Sequence, residues 1–235
     1  MLEMLEMEFM QRAWLAGLIM AVICPLIGSF LVLRRQSLIG DGLGHIAFAG
    51  VAAGALGGYS PVLSAAAATI LGALAIEKVR TKLSDAADMV LAIFFYSGMG
   101  LAVIFTGLNK DGGFNLGSIL FGSLMMVSSK DLLIVAALGF CTVLFVVLFY
   151  RPLQYLTFDE KSAKVAGLPV ERLNLLLALL TALTVALSMR IVGLLLVSAM
   201  MVIPVACALQ TARSFRGTIM QSMLYGLVTV FLGLT

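Results

Sequence analysis

Charge is scarce in this chain. Of its 235 residues only 11% are Asp, Glu, Lys or Arg, against 62% hydrophobic, so water is not the solvent for most of its surface. Cysteine occurs three times, at Cys24, Cys141 and Cys207. That number is odd, the positions lie far apart in apolar runs, and no C-x-x-C is present. These features argue against a disulfide framework or a thiolate metal site, and the three read as packing residues. No G-x-x-x-x-G-K-[ST] occurs, so the chain does not itself hold ATP in a P-loop, and H-E-x-x-H, the usual zinc-protease signature, is missing. An intramembrane aspartyl protease needs a second aspartate at depth, whereas Asp85, Asp88 and Asp131 fall at run ends. The formal charge is only +3 and no basic tract exists, which leaves nucleic-acid binding without support.

What the chain has is long apolar runs. Segments able to cross a hydrocarbon layer of roughly 30 Å as helices recur at about 12–33, 41–58, 61–79, 88–107, 131–150, 172–189, 191–209 and 217–235, and mean hydropathy is +1.12. The expected fold is all-α, a polytopic integral membrane bundle of about eight transmembrane helices in one domain over 1–235. The acidic preface Met1 to Glu8 and the length of the first run do not fit a cleaved signal peptide, so that run is expected to remain in the mature chain. Alternating crossings place Arg34, Arg35, Lys78, Arg80, Lys82, Arg151, Lys161, Lys164, Arg172, Arg213 and Arg216 on one side and only Arg12, Lys110, Lys130 and Arg190 on the other. This asymmetry puts the N-terminus outside and the long loop at about 151–171 in the cytoplasm.

Along the chain, Pro25 predicts a kink in the first helix, tolerable where neighbours cover the freed carbonyl. The second run is weakly hydrophobic, with Gly50, Gly54 and Gly58 spaced by four, a ridge on which another helix packs closely; it should be central. An outer turn is expected at Asn109–Asn115, then a short or re-entrant helix over Leu116–Val127, with Ser128 or Ser129 capping the next span. The run 191–209 contains Pro204 and follows its predecessor at once, which suits a broken helix lining a path.

Within the second run lies Gly40-Asp41-Gly42-Leu43-Gly44-His45. Asp41 and His45, the sole histidine, share a helix face at i, i+4. A carboxylate at membrane depth costs about 2.5–3.5 kcal/mol on insertion scales, and an oxygen plus a nitrogen donor suit Zn²⁺, Mn²⁺ or Fe²⁺. Two donors make an incomplete site, as a transported ion requires; hydroxyl groups such as Ser97 and Tyr96 are further candidates. With a helix start near Ser37, Asp41 lies about 6 Å and His45 about 12 Å from the inner interface. The alternative is structural: Asp41 as N-cap and His45 as a hydrogen-bonded core histidine.

In the inner loop, Asp159 can cap a short helix that carries Ala163 and ends near Gly167, with Pro169 beyond. Such a helix suits docking into a groove on a soluble partner; the alternative is a solvated connector. The fourteen methionines, Met125-Met126 and Met200-Met201 among them, read as packing. Arg190 and Lys110 read as interface anchors.

These residues resemble a known family, the membrane permeases of bacterial ATP-driven zinc and manganese importers. The resemblance runs over nearly the whole chain and rests on Phe9-Met10-Gln11-Arg12-Ala13, Gly28 to Leu38, the Asp41–His45 core with Gly50, and Leu120-Phe121-Gly122-Ser123. It continues through Arg151-Pro152, Leu156 to Glu160, Gly167 to Val170, Leu195 to Ser198 and Val202-Ile203-Pro204. It implies that Asp41 and His45 are metal-pathway residues, and that 157–169, with Asp159, Glu160, Ala163 and Gly167, docks on a separate cytoplasmic ATP-binding-cassette ATPase. An extracellular metal-binding lipoprotein would deliver the ion, and two permeases would pair around a central path. The wording is more similar to the zinc branch of Gram-positive bacteria than to the manganese branch. Relatives often carry hydroxyl residues where this chain has Gly42 and Gly44, and usually continue past the equivalent of Thr235 with one more apolar segment.

The expectation is thus a non-enzymatic permease subunit of a divalent-metal importer in the cytoplasmic membrane, carrying zinc, with no permanently bound cofactor. Manganese or iron is the alternative cargo. The rivals are an iron-chelate or corrinoid permease, with a wider cavity, and an intramembrane hydrolase.

Overall fold

The structure, a computed structural model, describes residues 8–83, 86–109, 120–122 and 128–234, the side chains of Phe9, Arg190 and Leu234 apart. Regular elements among them are all helical: α1 (Glu8–Leu33), α2 (Ile39–Leu56), α3 (Pro61–Lys82), α4 (Ala87–Leu108), α5 (Ser129–Leu148), α6 (Tyr150–Phe158), α7 (Glu160–Val165), α8 (Val170–Ile191), α9 (Leu194–Thr211) and α10 (Phe215–Leu234). Among the described residues seven helices, α1 to α5, α8 and α9, are long and apolar enough to cross a membrane. The last expected run forms α10. The outer turn at Lys110–Asn115, most of the short helix expected at 116–127, Asp85, Met125-Met126 and the Arg190 side chain lie outside the described residues.

The chain divides into two compact units. The first comprises Met1–Ser37, Ser123–Val170 and Ala199–Thr235. Its spine is the pairing of α1 with α10. Pro25 cannot donate to the Ala21 carbonyl one turn earlier, and Gly226 of α10 lies over that oxygen: a Cβ at 226 would stand 2.5 Å from it. The missing side chain lets the α10 backbone cover the orphaned acceptor, which would otherwise cost several kcal/mol in an apolar layer. One turn on, the buried Ser29 hydroxyl donates to the Pro25 carbonyl at 2.8 Å and meets the buried Ser222 hydroxyl at 3.1 Å. Trp14 and Phe231 pack edge to face at 5.5 Å farther along. On its other flanks α1 receives Gly139 of α5 against Ile19 and Ile23, and Gly28 admits the Met201 backbone of α9. Ser128 caps α5 as expected, in a capping box with Asp131.

The second unit comprises Leu38–Gly122 and Glu171–Ser198, and α2 is its centre. Although α2 is the least hydropathic of the seven spans, 67% of it is buried, against 22% for each of α3 and α4. Ala47, Phe48, Ala49 and Val51 pack with Ala65 of α3, Ala102 of α4, Met189 of α8 and Leu194 of α9. Gly50 and Gly54 form the expected ridge, lying against Ser64, Ala65 and Ala68 of α3. Gly58 does not belong to it. It follows the helix with φ +68° and open space around it, and the bonds Tyr59 N–H to Gly54 and Gly58 N–H to Ala55 make it the left-handed residue of a Schellman stop.

The run 191–209 is not broken at Pro204. The interruption comes earlier, at Val192-Gly193, and α9 then runs continuously through Pro204. Gly193 (φ +90°) and Gly122 (φ +73°) meet backbone to backbone. A Cβ on Gly122 would lie 2.5 Å from the Gly193 nitrogen, and one on Gly193 2.6 Å from the Leu120 carbonyl oxygen. Both sterics and backbone conformation therefore require glycine there. Helix α8 also buries Asn174, Thr181, Thr184 and Ser188, a polar stripe that hydrophobic periodicity alone does not reveal.

Candidate metal site

The turn from α1 to α2 sets the register of the site. Leu38, with αR backbone and no side-chain capping bond, is the N-cap of α2, so Asp41 sits in the first helical turn and is not the cap. Its carboxylate makes no hydrogen bond or ion pair among the described residues, and it is only half-buried. With the helix starting at Ile39, Asp41 lies about 3 Å and His45 about 9 Å along it, one turn apart on one face. Both side chains are thus nearer that end of the span than the sequence alone suggests.

His45 is half-buried too, and its Nδ1 is buried without a hydrogen-bond partner. The ring stands edge-on to Phe95 of α4, centroids 4.9 Å apart and planes at 88°. Behind it Gly98 of α4 presses on the helix backbone: a Cβ there would lie 3.0 Å from the Ile46 nitrogen and 3.2 Å from the His45 carbonyl carbon. The imidazole therefore packs on an aromatic edge, while Gly98 touches only the helix backbone and Ile46 behind it, and the ring makes no hydrogen bond to another described residue. A core histidine satisfied by hydrogen bonds is not what the structure contains.

The other hydroxyl candidates do not converge on this pair. Tyr96 and Ser97 are exposed on α4, Tyr96 packs on the ring of Phe95, and Phe95 is the residue that reaches His45. Among the described residues no group of three or more His, Cys, Asp or Glu side chains is arranged to hold a metal. Asp41 and His45 are thus two half-buried candidate donors one turn apart, with no third such side chain grouped with them among the described residues. Gly42 has ordinary contacts with Phe95 and room for a side chain, whereas a Cβ on Gly44 would stand 2.7 Å from the buried Leu194. Glycine at 44 is a packing choice.

The inner segment is more structured than a loop. Arg151-Pro152 disguised α6, a nine-residue amphipathic helix that buries Leu153, Leu156 and Thr157; proline is tolerated in a first helical turn. Helix α7 follows the reading closely. Asp159 caps it by accepting from the Ser162 N–H at 2.9 Å and from the Ser162 hydroxyl, and Ala163 is fully buried. The bonds Leu168 N–H to Ala163 and Gly167 N–H to Lys164, with Gly167 at φ +80°, close a second Schellman stop. Those Ser162 bonds, the hydroxyl first, hold the Asp159 carboxyl below the ordinary carboxylate range. Sequence reasoning missed one contact: Glu160 accepts from the Arg34 guanidinium at 3.0 Å, and the Arg34 side chain is only 6% exposed. Arg80, another of the expected inner cations, is likewise buried, in a bond pair with Glu77 at 2.7 and 3.0 Å.

The ABC 3 transport family profile matches residues 6–235. The chain belongs to the ABC 3 transport family. It is 36% identical over 233 residues to a probable metal transport system membrane protein of Treponema pallidum, covering 98% of this chain and 86% of that protein. Two further relatives are the manganese transport system membrane protein MntC of Halalkalibacterium halodurans (30% identical, 99% and 80% covered) and the high-affinity zinc uptake system membrane protein ZnuB of Haemophilus influenzae (28%, 97% and 87%). Among solved structures, PsaBC from Streptococcus pneumoniae in complex with a Fab superposes with a TM-score of 0.81 at 30% identity, over 97% of this chain and 82% of that one. As an ABC 3 family member this chain is a multi-pass permease of the metal-transporting ABC type, a transport subunit and not itself an enzyme.

Proposed function

We propose that the chain carries a divalent transition-metal ion, zinc in preference to manganese, across the cytoplasmic membrane, with Asp41 and His45 as its donors in the path. The single observation that carries this reading is that neither side chain is engaged in a structural hydrogen bond or ion pair. Asp41 is not the cap of its helix and has no hydrogen-bond or ion-pair partner among the described residues, and the buried His45 Nδ1 has no hydrogen-bond partner either. Carboxylate and imidazole together favour a borderline first-row ion over Mg²⁺ or Ca²⁺. An open two-donor site on each chain is completed when two copies pair, which gives the ion a stop that it can leave. A cytoplasmic ATPase and an extracellular metal-binding lipoprotein are the expected partners, and the N-terminus is placed outside. Manganese is the second reading, supported by the 30% identity to a manganese transport protein.

In this mechanism the ATPase grips α7, and its closure displaces that helix. The Arg34–Glu160 bond passes the movement to the end of α1, where Arg35 occupies a left-handed conformation at φ +58°. Six residues later comes Asp41. The ATP-bound partner must favour one permease conformation by differential binding for the site to change its access.

The test is ⁶⁵Zn and ⁵⁴Mn uptake by proteoliposomes that hold this chain, its ATPase and its binding protein. Asp41→Ala and His45→Ala are expected to lose uptake while keeping assembly with the ATPase. Parental uptake in both variants overturns the site, and a strong preference for manganese overturns the choice of metal alone.

A further inference from the structure

A second site stands in the first unit, where α5 passes into α6 and α10 begins. A cavity of about 390 Å³ is lined by Tyr150, Arg151, Gln154, Ser214, Phe215 and Arg216. The buried Phe215 ring forms its base, wedged between Phe30 at 5.4 Å, Phe158 at 5.6 Å and Tyr150 at 5.9 Å. Arg216 lies over the Tyr150 ring, 5.6 Å from its centroid. Arg151 and Arg216 are exposed, and neither has a salt-bridge partner among the described residues. The Tyr150 hydroxyl is buried with no hydrogen-bond partner. Burial pushes its pKa up, against a smaller opposing effect of Arg216, so at neutral pH it is a protonated donor. Two guanidiniums and a phenolic donor around one cavity call for an anion with several acceptor oxygens.

The same two arginines adjoin apolar faces. Arg151 follows the end of α5, which carries Val147, Leu144 and Phe140 at successive turns, and Met220 and Leu224 follow Arg216 at one and two turns, all five apolar residues exposed. A ligand that satisfies the cavity and covers these faces has an anionic head and a hydrocarbon body. A free phosphate meets only the first requirement, and so does an acidic side chain of a soluble partner. We propose that this cavity is a headgroup site for an anionic phospholipid, its phosphate held between Arg151 and Arg216 and its acyl chains laid along α5 and α10. Basic pockets at the ends of membrane helices bind such headgroups. Because Phe158, the last residue of α6 before the α7 cap, packs on Phe215, the bound lipid would brace the coupling segment from the membrane side.

The experiment is native mass spectrometry of the full chain in detergent, titrated with dioleoylphosphatidylglycerol or dioleoylphosphatidylcholine. The parent is expected to retain the anionic lipid selectively. Arg151→Gln/Arg216→Gln should weaken that binding roughly thirtyfold, about fivefold per guanidinium, without changing retention of phosphatidylcholine. Arg213→Gln, at a neighbouring cation outside the cavity, should bind as the parent does, and so should Asp41→Ala, which separates this proposal from the metal site. If the double variant does not fold, the parent decides: equal retention of the two lipids overturns the proposal. Complete displacement by millimolar inorganic phosphate overturns the lipid in favour of a free anion. Unchanged lipid binding in the double variant, with lost association to the ATPase, overturns it in favour of an acidic partner side chain.

Discussion

Gly98→Ala tests the geometry of α2, which carries the proposed ligands, without touching either of them. The new methyl group would lie 3.0 Å from both the Ile46 nitrogen and its Cγ1, and 3.2 Å from the His45 carbonyl carbon. Ordinary contacts between carbon atoms begin near 3.5 Å, so α2 and α4 must part by about 0.5 Å at the turn that carries His45. Two of the three atoms are backbone, which cannot step aside as a side-chain end can. Overpacking of this kind costs about 1–3 kcal/mol, offset by up to about 1 kcal/mol of helix propensity gained on replacing glycine. Gly100, on the same helix with nothing within 4 Å, supplies the control: Gly100→Ala should show only the propensity gain. Metal ligands hold their distances to about 0.2 Å, and changes in the groups that orient them cost about 10–100-fold in affinity. Gly98→Ala should therefore raise the half-saturating metal concentration for uptake about tenfold or more, with a lower thermal midpoint than Gly100→Ala. Parental affinity alongside a lowered midpoint would refute the placement of His45 in the path, and a parental midpoint would refute the helix contact itself.

Further outcomes follow from the inner segment and the glycine crossing. Arg34→Gln should uncouple ATP hydrolysis from uptake, costing about 1–2 kcal/mol of stability for a partly buried pair; tightly coupled hydrolysis in reconstituted transporters would contradict the route through α1. Gly193→Ala faces backbone collision as well as a positive φ and should prevent recovery of folded protein. Gly167→Ala, in open space at φ +80°, should be recovered folded and cost only about 1 kcal/mol, as read by its thermal unfolding against the parent. The depressed Asp159 pKa means that its contribution to α7 is present above the unfolded-state value of about 3.9 and is lost as pH falls through the lower folded value. Association with the ATPase should thus be flat in pH from 5 to 8 as far as this group decides, and Ser162→Ala should raise the acid midpoint of α7 unfolding; an unmoved midpoint would refute that bond's role.

The spans were legible because apolar runs of bilayer length have few other uses, and their ends fell within a few residues of the observed helices. Asp159, Ala163 and Gly167 were legible for a different reason: cap, buried small residue and left-handed stop are local devices, fixed within one turn. Gly58 misled because spacing by four cannot tell a packing ridge from a helix terminator, which depends on where the helix ends. Helix α6 hid behind Arg151-Pro152, although Leu153, Leu156 and Thr157 already carried its period. The Arg34–Glu160 bond spans 126 positions, and no single sequence encodes such a pairing legibly. Asp41 and His45 stood out by cost alone, while Phe95, which packs on the imidazole, and Gly98, which packs on the backbone behind it, look like any apolar helix residues.

The discontinuous make-up of the first unit bears on how the chain matures. Ser29 and Ser222 are 193 positions apart, so the proline-freed carbonyl of α1 must wait for all the intervening helices to be synthesised before Gly226 arrives to cover it. Helices α2, α3 and α4, by contrast, are consecutive and can clasp one another as they emerge, since short loops close at little entropic cost. Helix α2 can thus meet α3 and α4 early in synthesis, whereas the seam between α1 and α10 closes late.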